Sequence, residues 1–256
     1  MLTVLKLGGS VLRDDRSYAA SARFLQQRLA LAPQERLVVI VSAQYGATDA
    51  LHGEAQIIAN DPCQLALDLL WSTGELRSVA LLALHLQRIG VSAVPFNVHQ
   101  TGLVADREAG TTVRPMRLLA ALAHARIVIV PGFLGVSPGG AVTSLGRGGS
   151  DLTAVLLAAA IRADACELIK DVPGYFTADP HRDAAAQPIH DLGIDEALRM
   201  ADGGCDLVQR AALAAAAHAD LHLVIRSMDA AAPVSHVHSR SSHGVRHQDH
   251  SRRAAV

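Results

Sequence analysis

The residue types able to do chemistry in this chain gather in a few short glycine-rich segments. In Ser144-Leu145-Gly146-Arg147-Gly148-Gly149-Ser150-Asp151, three glycines fall within four residues and stand beside an arginine and an acid. Glycine there is costly unless backbone must approach something closely, and it lets N–H groups turn toward an anion. Ser150 and Asp151 stand where an N-cap would open the apolar run Leu152 to Ile161, so the loop can feed a helix N-terminus. The parts suit a clamp for phosphate or carboxylate, although a polar turn between two buried elements would look similar. A second set is Lys6 with Gly8, Gly9 and Ser10, where an ammonium at the end of an apolar run can share a cleft with backbone amides; a surface lysine beside a turn is the plainer reading. Further polar groups follow: Thr48 with Asp49, Glu75 after Thr73-Gly74, and the run Asp171 to Asp179. Transfer of a phosphoryl group needs two anionic partners held together and their charge neutralised, which these basic and acidic groups could do. The G-x-x-x-x-G-K-[ST] loop is absent, so a kinase of this kind would lack a P-loop.

Positioning such segments requires strands that end where they begin. Residues 2 to 7, 37 to 41, 91 to 98, 127 to 130, 165 to 169 and 221 to 226 read as strands. Helical spacing occupies 15 to 32, 49 to 60, 62 to 89, 115 to 125, 151 to 162, 194 to 202 and 206 to 219, with Ser72 to Glu75 interrupting the third. Pro131 to Gly135 reads as an exit loop. Strands alternating with helices imply parallel pairing in a layered α/β sandwich, with ligands collecting at the carboxyl ends of the strands.

Composition excludes several partners. With 23 basic and 24 acidic residues the net charge is -1, and aromatic residues are 3% of the chain, so neither a basic field nor stacking platforms recruit nucleic acid. No apolar run reaches the roughly 20 residues that span a bilayer. Cys63, Cys166 and Cys205 are widely separated and read as reduced; the N-terminus lacks the regions of a signal peptide, so a cytoplasmic protein is expected. From Asp229 to Val256 the composition turns to Ala, Ser, His and Arg without an apolar period, and includes His236, His238, His243, His247 and His250. That segment reads as disordered rather than as a metal site, because its irregular spacing defines no tetrahedral ligand set.

Taken in order, these segments resemble the amino acid kinase family, most closely its aspartate kinases. Leu145 to Val155 is similar to the aspartate kinase signature; Lys6 to Ser10 resembles the first strand and loop; Ser42 to Leu51 and Ser72 to Glu75 resemble the segments carrying Thr-Asp and Thr-Gly-Glu. Pro131 to Gly135 and Gly174 to Pro180 align as well, and the likeness covers residues 2 to 228. It implies a catalytic domain over 1 to 228, folded as a three-layer α/β/α sandwich around a mainly parallel sheet, commonly dimeric. The implied activity is ATP-dependent phosphorylation of a carboxylate, with Mg²⁺, giving an acyl phosphate and ADP. By motif, Lys6 would stabilise the transferring phosphoryl group and Asp151 would organise that lysine and the reacting groups. Gly8, Gly9 and Ser10 would cradle the ATP phosphates. Thr48, Glu75 and Arg147, with Gly148, Gly149 and Ser150, would bind the acidic substrate. Lys170, Asp171, Tyr175, Asp179 and Pro180 would surround the nucleotide.

Departures from the family pattern concentrate on that last group. Lys170 stands where a Ser or Thr is usual, Pro173 replaces an acid, His181 an arginine, Asp206 a lysine, and Val208-Gln209 a His-Pro pair. Lys170 is therefore expected to supply phosphate-side charge that Asp206 removes. Aspartate kinases typically continue into regulatory ACT domains, which this sequence does not include, so feedback within the chain is not expected. A kinase for another small carboxylate, phosphate or phosphonate, and a non-catalytic nucleotide-binding or storage subunit, stay open as alternatives.

Overall fold

The computed structural model describes residues 1–106, 110–180 and 182–239. In chain order its elements are β1 (Leu2–Leu7), α1 (Asp15–Leu31), β2 (Arg36–Val41), α2 (Ala47–Ile58), α3 (Gln64–Arg88), β3 (Val94–Pro95), β4 (Leu103–Asp106), β5 (Gly110–Val113), α4 (Met116–His124), β6 (Ile127–Pro131), β7 (Leu134–Val136) and β8 (Val142–Ser144). There follow α5 (Gly149–Ile161), β9 (Ala165–Ile169), β10 (Tyr175–Phe176), β11 (Pro188–Ile189), β12 (Asp191–Gly193), α6 (Ile194–Asp202), α7 (Arg210–His218), β13 (Leu223–Arg226) and β14 (Ser235–His238).

The central strands are mostly apolar, β6 throughout and β2 after Arg36, as expected of strands covered on both faces; Thr3 and Lys6 of β1 and Glu167 of β9 are the buried polar exceptions. Alternate residues go to opposite layers. Leu5 and Leu7 of β1, Leu37, Val39 and Val41 of β2, and Ile127 and Ile129 of β6 pack with Tyr18 and Leu25 of α1 and Val79, Leu82 and Leu86 of α3. Val4, Val38, Ile40, Val128 and Val130 point the other way, toward Leu118 and Leu122 of α4, Val155 and Leu157 of α5, Ala197 of α6 and Leu213 of α7. The result is a three-layer α/β/α sandwich. Among the described residues its main sheet has eight strands in the order β12-β14-β13-β9-β1-β2-β6-β3, parallel throughout except for the β13–β14 pair. At the amino end of this sheet Arg28 bonds Glu35 and Glu167 in two bidentate pairs at 2.7–2.9 Å, and Thr3 donates to Glu35 at 2.7 Å. The catalytic-type segments lie at the opposite, carboxyl end.

Several local expectations are corrected. Ser72 to Glu75 does not interrupt α3: the hydroxyls of Ser72 and Thr73 bond back to the carbonyls of Leu69 and Leu70, at 2.6 and 2.7 Å, and the helix continues. Only Val94–Pro95 of the expected strand at 91 to 98 pairs, because a 3₁₀ turn capped by Asn97 follows at Val98–Gln100. Leu134 and Gly135, the end of the expected exit loop at 131 to 135, instead begin β7, which joins a second sheet of order β5-β4-β7-β8. The boundary at 228 falls inside the folded unit. β14 adds to β13 and β12, with Ser235 and Val237 buried and His236 and His238 on the opposite face, where the His236 ring stacks with those of His222 and His238. No group of three or more His, Cys, Asp or Glu among the described residues is arranged to hold a metal. His243, His247 and His250 lie outside the described residues.

Candidate active site

Parity along the strands decides which side chains meet. Lys6 shares the face of Val4, and Lys170 continues the face of Cys166 and Leu168, so both side chains reach the layer that contains α5. There Asp151, in the first turn of α5, receives both. The Lys6 ammonium lies 2.8 Å from Oδ1, and the Lys170 ammonium donates to Oδ2 at 2.7 Å. All three groups are buried, with side-chain exposures of 8%, 11% and 3% for Lys6, Lys170 and Asp151. Burial by itself would raise the Asp151 carboxyl, but the two ammonium groups overcome it and hold the acid down at about 2. Burial and the Lys6 charge lower Lys170, against the opposing pull of Asp151.

The N-terminus of α5 is formed differently from the expected cap. Gly148, not Ser150 or Asp151, is the N-cap, at φ +74°. A Cβ on Gly148 would lie 2.1 Å from Gln209 Cγ, so the position needs glycine for both conformation and space. Gly132, leaving β6, similarly admits Ser150, whose Cβ would be 2.8 Å from any side chain there. The next residue, Phe133, holds φ +70°, uncommon for a bulky side chain, while its amide bonds Thr153 Oγ1 at 3.2 Å. The β6 exit is thereby locked against the helix carrying Asp151.

A cleft of about 810 Å³ opens above these groups. Lys6, Gly9, Thr48, Glu75, Arg147, Gly148, Gly149, Ser150, Asp151 and Lys170 line it, so the structure brings together most of the residues singled out in the sequence. Glu75 is reached because Gly74 lets α3 approach Ala43, whose backbone N–H bonds the carboxylate. Burial pushes the Glu75 acid well above its ordinary range, and Lys6 and the Ala43 amide only partly offset this. Its Oε2 is buried and without a hydrogen-bond partner, a costly state that a bound ammonium would relieve. Arg147 is exposed on the opposite loop.

An adjoining cavity of about 510 Å³ is bounded by Ser10, Asp171, Pro173, Met228 and Asp229, and Lys170 lines both spaces. Ser10 donates to Asp171 at 2.9 Å, and Arg13 reaches the same carboxylate at 3.4 Å. Gly8 lies beneath, where an added Cβ would be 3.1 Å from Lys6 Nζ. Tyr175, expected near the nucleotide, is 1% exposed, packs in the core cluster that includes α5 and α7, and lines neither cavity. Asp179 and Pro180 also line neither; Asp179 sits in a surface turn 3.3 Å from Arg182. His181 lies outside the described residues. Asp206 is exposed at the rim of the larger cleft.

Sequence reasoning missed Trp71 and Phe133, whose rings meet at 5.8 Å and wall the cleft. Trp71 lies four residues before Glu75 on the same helix, so spacing could have placed it on the same face.

Two buried ammonium groups on one carboxylate, beside a deep unpaired acid and an exposed guanidinium, equip the cleft to hold a zwitterion against a polyphosphate. The profile of the amino acid kinase family matches residues 1–227. An aspartokinase of Thermus thermophilus is 37% identical over 231 residues, covering 88% of this chain and 56% of the relative. Aspartate kinase from Synechocystis superposes with a TM-score of 0.82 at 34% identity, over 93% of this chain and 40% of that one. E. coli aspartokinase III in complex with aspartate and ADP gives 0.78 at 25% identity, over 93% and 65%. The chain spans about half the length of the curated relatives it matches. Sandwich, cleft and profile agree over the same residues, and the chain belongs to the amino acid kinase family.

Proposed function

We propose that this chain transfers the γ-phosphoryl group of ATP to the side-chain carboxylate of aspartate, giving an acyl phosphate and ADP. The observation that carries the reading is the Lys6–Asp151–Lys170 cluster at the base of a cleft whose wall holds the unpaired Glu75. Similarity to aspartokinases, one of them crystallised with aspartate and ADP, supports the same substrates here.

The chemistry asks little covalent help from protein. An aspartate side chain is already ionised at neutral pH, so its oxygen attacks phosphorus without a base, and the bond to the departing ADP oxygen breaks as the new one forms. Glu75 takes the substrate ammonium, Arg147 grips the α-carboxylate in a bidentate pair, and Thr48 and the amides of Gly148 to Ser150 complete the acceptor side. The side-chain carboxylate is then left facing Lys6, the counter-charge that follows the phosphoryl group. Gly8, Gly9 and Ser10 carry the ATP phosphates, and Lys170 and Asp171 border the nucleotide; Asp179 and Pro180 belong to its outer surroundings. Mg²⁺ comes with the nucleotide: it commonly keeps water and substrate phosphates as ligands, which suits a site with no converging group of three ligating side chains among the described residues.

The reading extends to a cytoplasmic homodimer serving amino-acid biosynthesis. Its support is three free cysteines, the lack of any described helix long and apolar enough to cross a membrane, and Leu65, Leu69 and Leu84, which α3 leaves exposed for a second copy. The test is ADP release with aspartate, glutamate, uridylate and small phosphonates, with hydroxylamine present to trap acyl phosphate. Aspartate-dependent ADP release with hydroxamate formation is the expected result. Turnover on another acceptor alone, or none with any, would overturn it.

A further inference from the structure

One lysine is enough to neutralise Asp151, yet two are buried against it. Removing an ammonium group from water costs several kcal/mol, and a second cation on an already balanced carboxylate leaves the three-residue cluster with a net positive charge. Glu75 does not cancel it, because burial disfavours its ionised form. Asp171 adds only a weaker pull on Lys170 than Asp151 does and is itself bonded by Ser10 and Arg13, and Asp206 is exposed at the rim. The excess charge calls for an anion in the cleft itself. Lys170 is placed to meet one, because it lines both the 810 Å³ cleft and the 510 Å³ cavity. It stands where the spaces proposed for acceptor and donor join.

We propose that Lys170 is a second catalytic cation, contacting the transferring phosphoryl group opposite Lys6, with Asp151 holding the two ammonium groups apart at rest. The role rests on the kinase reading above and adds to it a residue that acts on the transition state rather than on ATP alone. As the aspartate oxygen bonds to phosphorus and the electron pair of the breaking bond stays on ADP, both ammonium groups face the equatorial oxygens. No proton is transferred. Charge gathered on these oxygens is stabilised most by donors already fixed in a dry site, which the pairing with Asp151 provides.

Lys170→Met removes the charge at similar length and leaves Lys6 and Asp151 as a balanced pair, so the variant is expected to fold; Lys170→Arg keeps the charge. The wild type and both variants are assayed for ADP release with aspartate. Calorimetry then measures affinity for ADP and for ADP with aluminium fluoride, a mimic of the transferring phosphoryl group, each with aspartate and Mg²⁺ present. Lys170→Met should lower kcat about 10²- to 10³-fold, the scale for losing one preorganised donor. It should weaken the aluminium fluoride complex by a similar factor and ADP by only a few-fold, while Lys170→Arg retains part of kcat. A Lys170→Met enzyme with near-normal kcat, or with equal losses for ADP and its aluminium fluoride complex, would overturn the proposal. Wild-type protein that binds the mimic but does not turn over aspartate would sink the acceptor assignment instead, and the affinity ratio would still judge Lys170.

Discussion

Replacing Asp151 with Asn keeps the shape of the side chain and removes the charge on which two buried lysines depend. Two lines of reasoning set the size of the effect. The carboxyl is held at about 2 against an ordinary 3.8, a difference worth about 2 kcal/mol of folding stability. Breaking a buried ion pair by removing one partner typically costs about 3–5 kcal/mol. Asp151→Asn should therefore lose about 2–5 kcal/mol at pH 7, or about 5–15 °C in Tm for a domain of this size. The pH dependence follows from the direction of the shift. A depressed carboxyl stabilises above its unfolded value and loses that contribution as pH falls toward 2, so wild type and variant should converge in acid. Above neutrality the variant should recover, because Lys170, lowered by burial even in the wild type, loses the opposing pull of Asp151, and deprotonating it removes the unpaired charge. Thermal unfolding followed by circular dichroism from pH 3 to 10 measures both arms. A variant as stable as the wild type at pH 7, or a gap that widens in acid, would refute the reasoning.

Glu75 leads to an opposite dependence. Its acid is raised by burial, so its ionisation weakens the free protein as pH climbs above the unfolded value, and Glu75→Gln should be relatively more stable above about pH 5. The same variant should bind aspartate about 10- to 100-fold more weakly, the scale of a lost charge-assisted hydrogen bond, and should lose the wild type's gain in affinity with rising pH; calorimetry across pH 6–9 checks this. Gly146 and Gly148 both have positive φ, but only a Cβ at Gly148 meets Gln209. Gly146→Ala should cost about 1–2 kcal/mol in urea unfolding for its left-handed backbone alone, and Gly148→Ala should cost more.

The carboxyl-end loops were legible in the sequence because their residue types are expensive anywhere else. Glycines at 146 and 148 do adopt positive φ, and Lys6 does lie beside Gly8 and Gly9 over a shared cleft. The long buried strands were legible for the same reason, since an uninterrupted apolar run such as Leu37 to Val41 has few other homes. Short elements were not: β4, β5, β7 and β8 have three or four residues each, too few to show a period. β14 was hidden by composition, although Ser235 to His238 alternates buried and half-buried side chains. Tyr175 is expected around the nucleotide from the resemblance alone, while its side chain is buried in the core beside the turn at Gly174, where a Cβ would lie 2.4 Å from Ser235 Oγ. The two-lysine contact on Asp151 lay beyond spacing arguments, because it joins β1, the end of β9 and α5 across 164 residues of chain.

The central claim is that a carboxylate oxygen of aspartate bonds to the γ-phosphorus in the cleft above Asp151. Aspartate labelled with ¹⁸O in its side-chain carboxylate tests this directly when the product is trapped with hydroxylamine and the released phosphate is analysed by mass spectrometry. Hydroxylamine attacks the acyl carbon, so the phosphate leaves with the bridging oxygen. The account predicts phosphate carrying one ¹⁸O in proportion to the hydroxamate formed. Unlabelled phosphate, with its fourth oxygen from water, would contradict it.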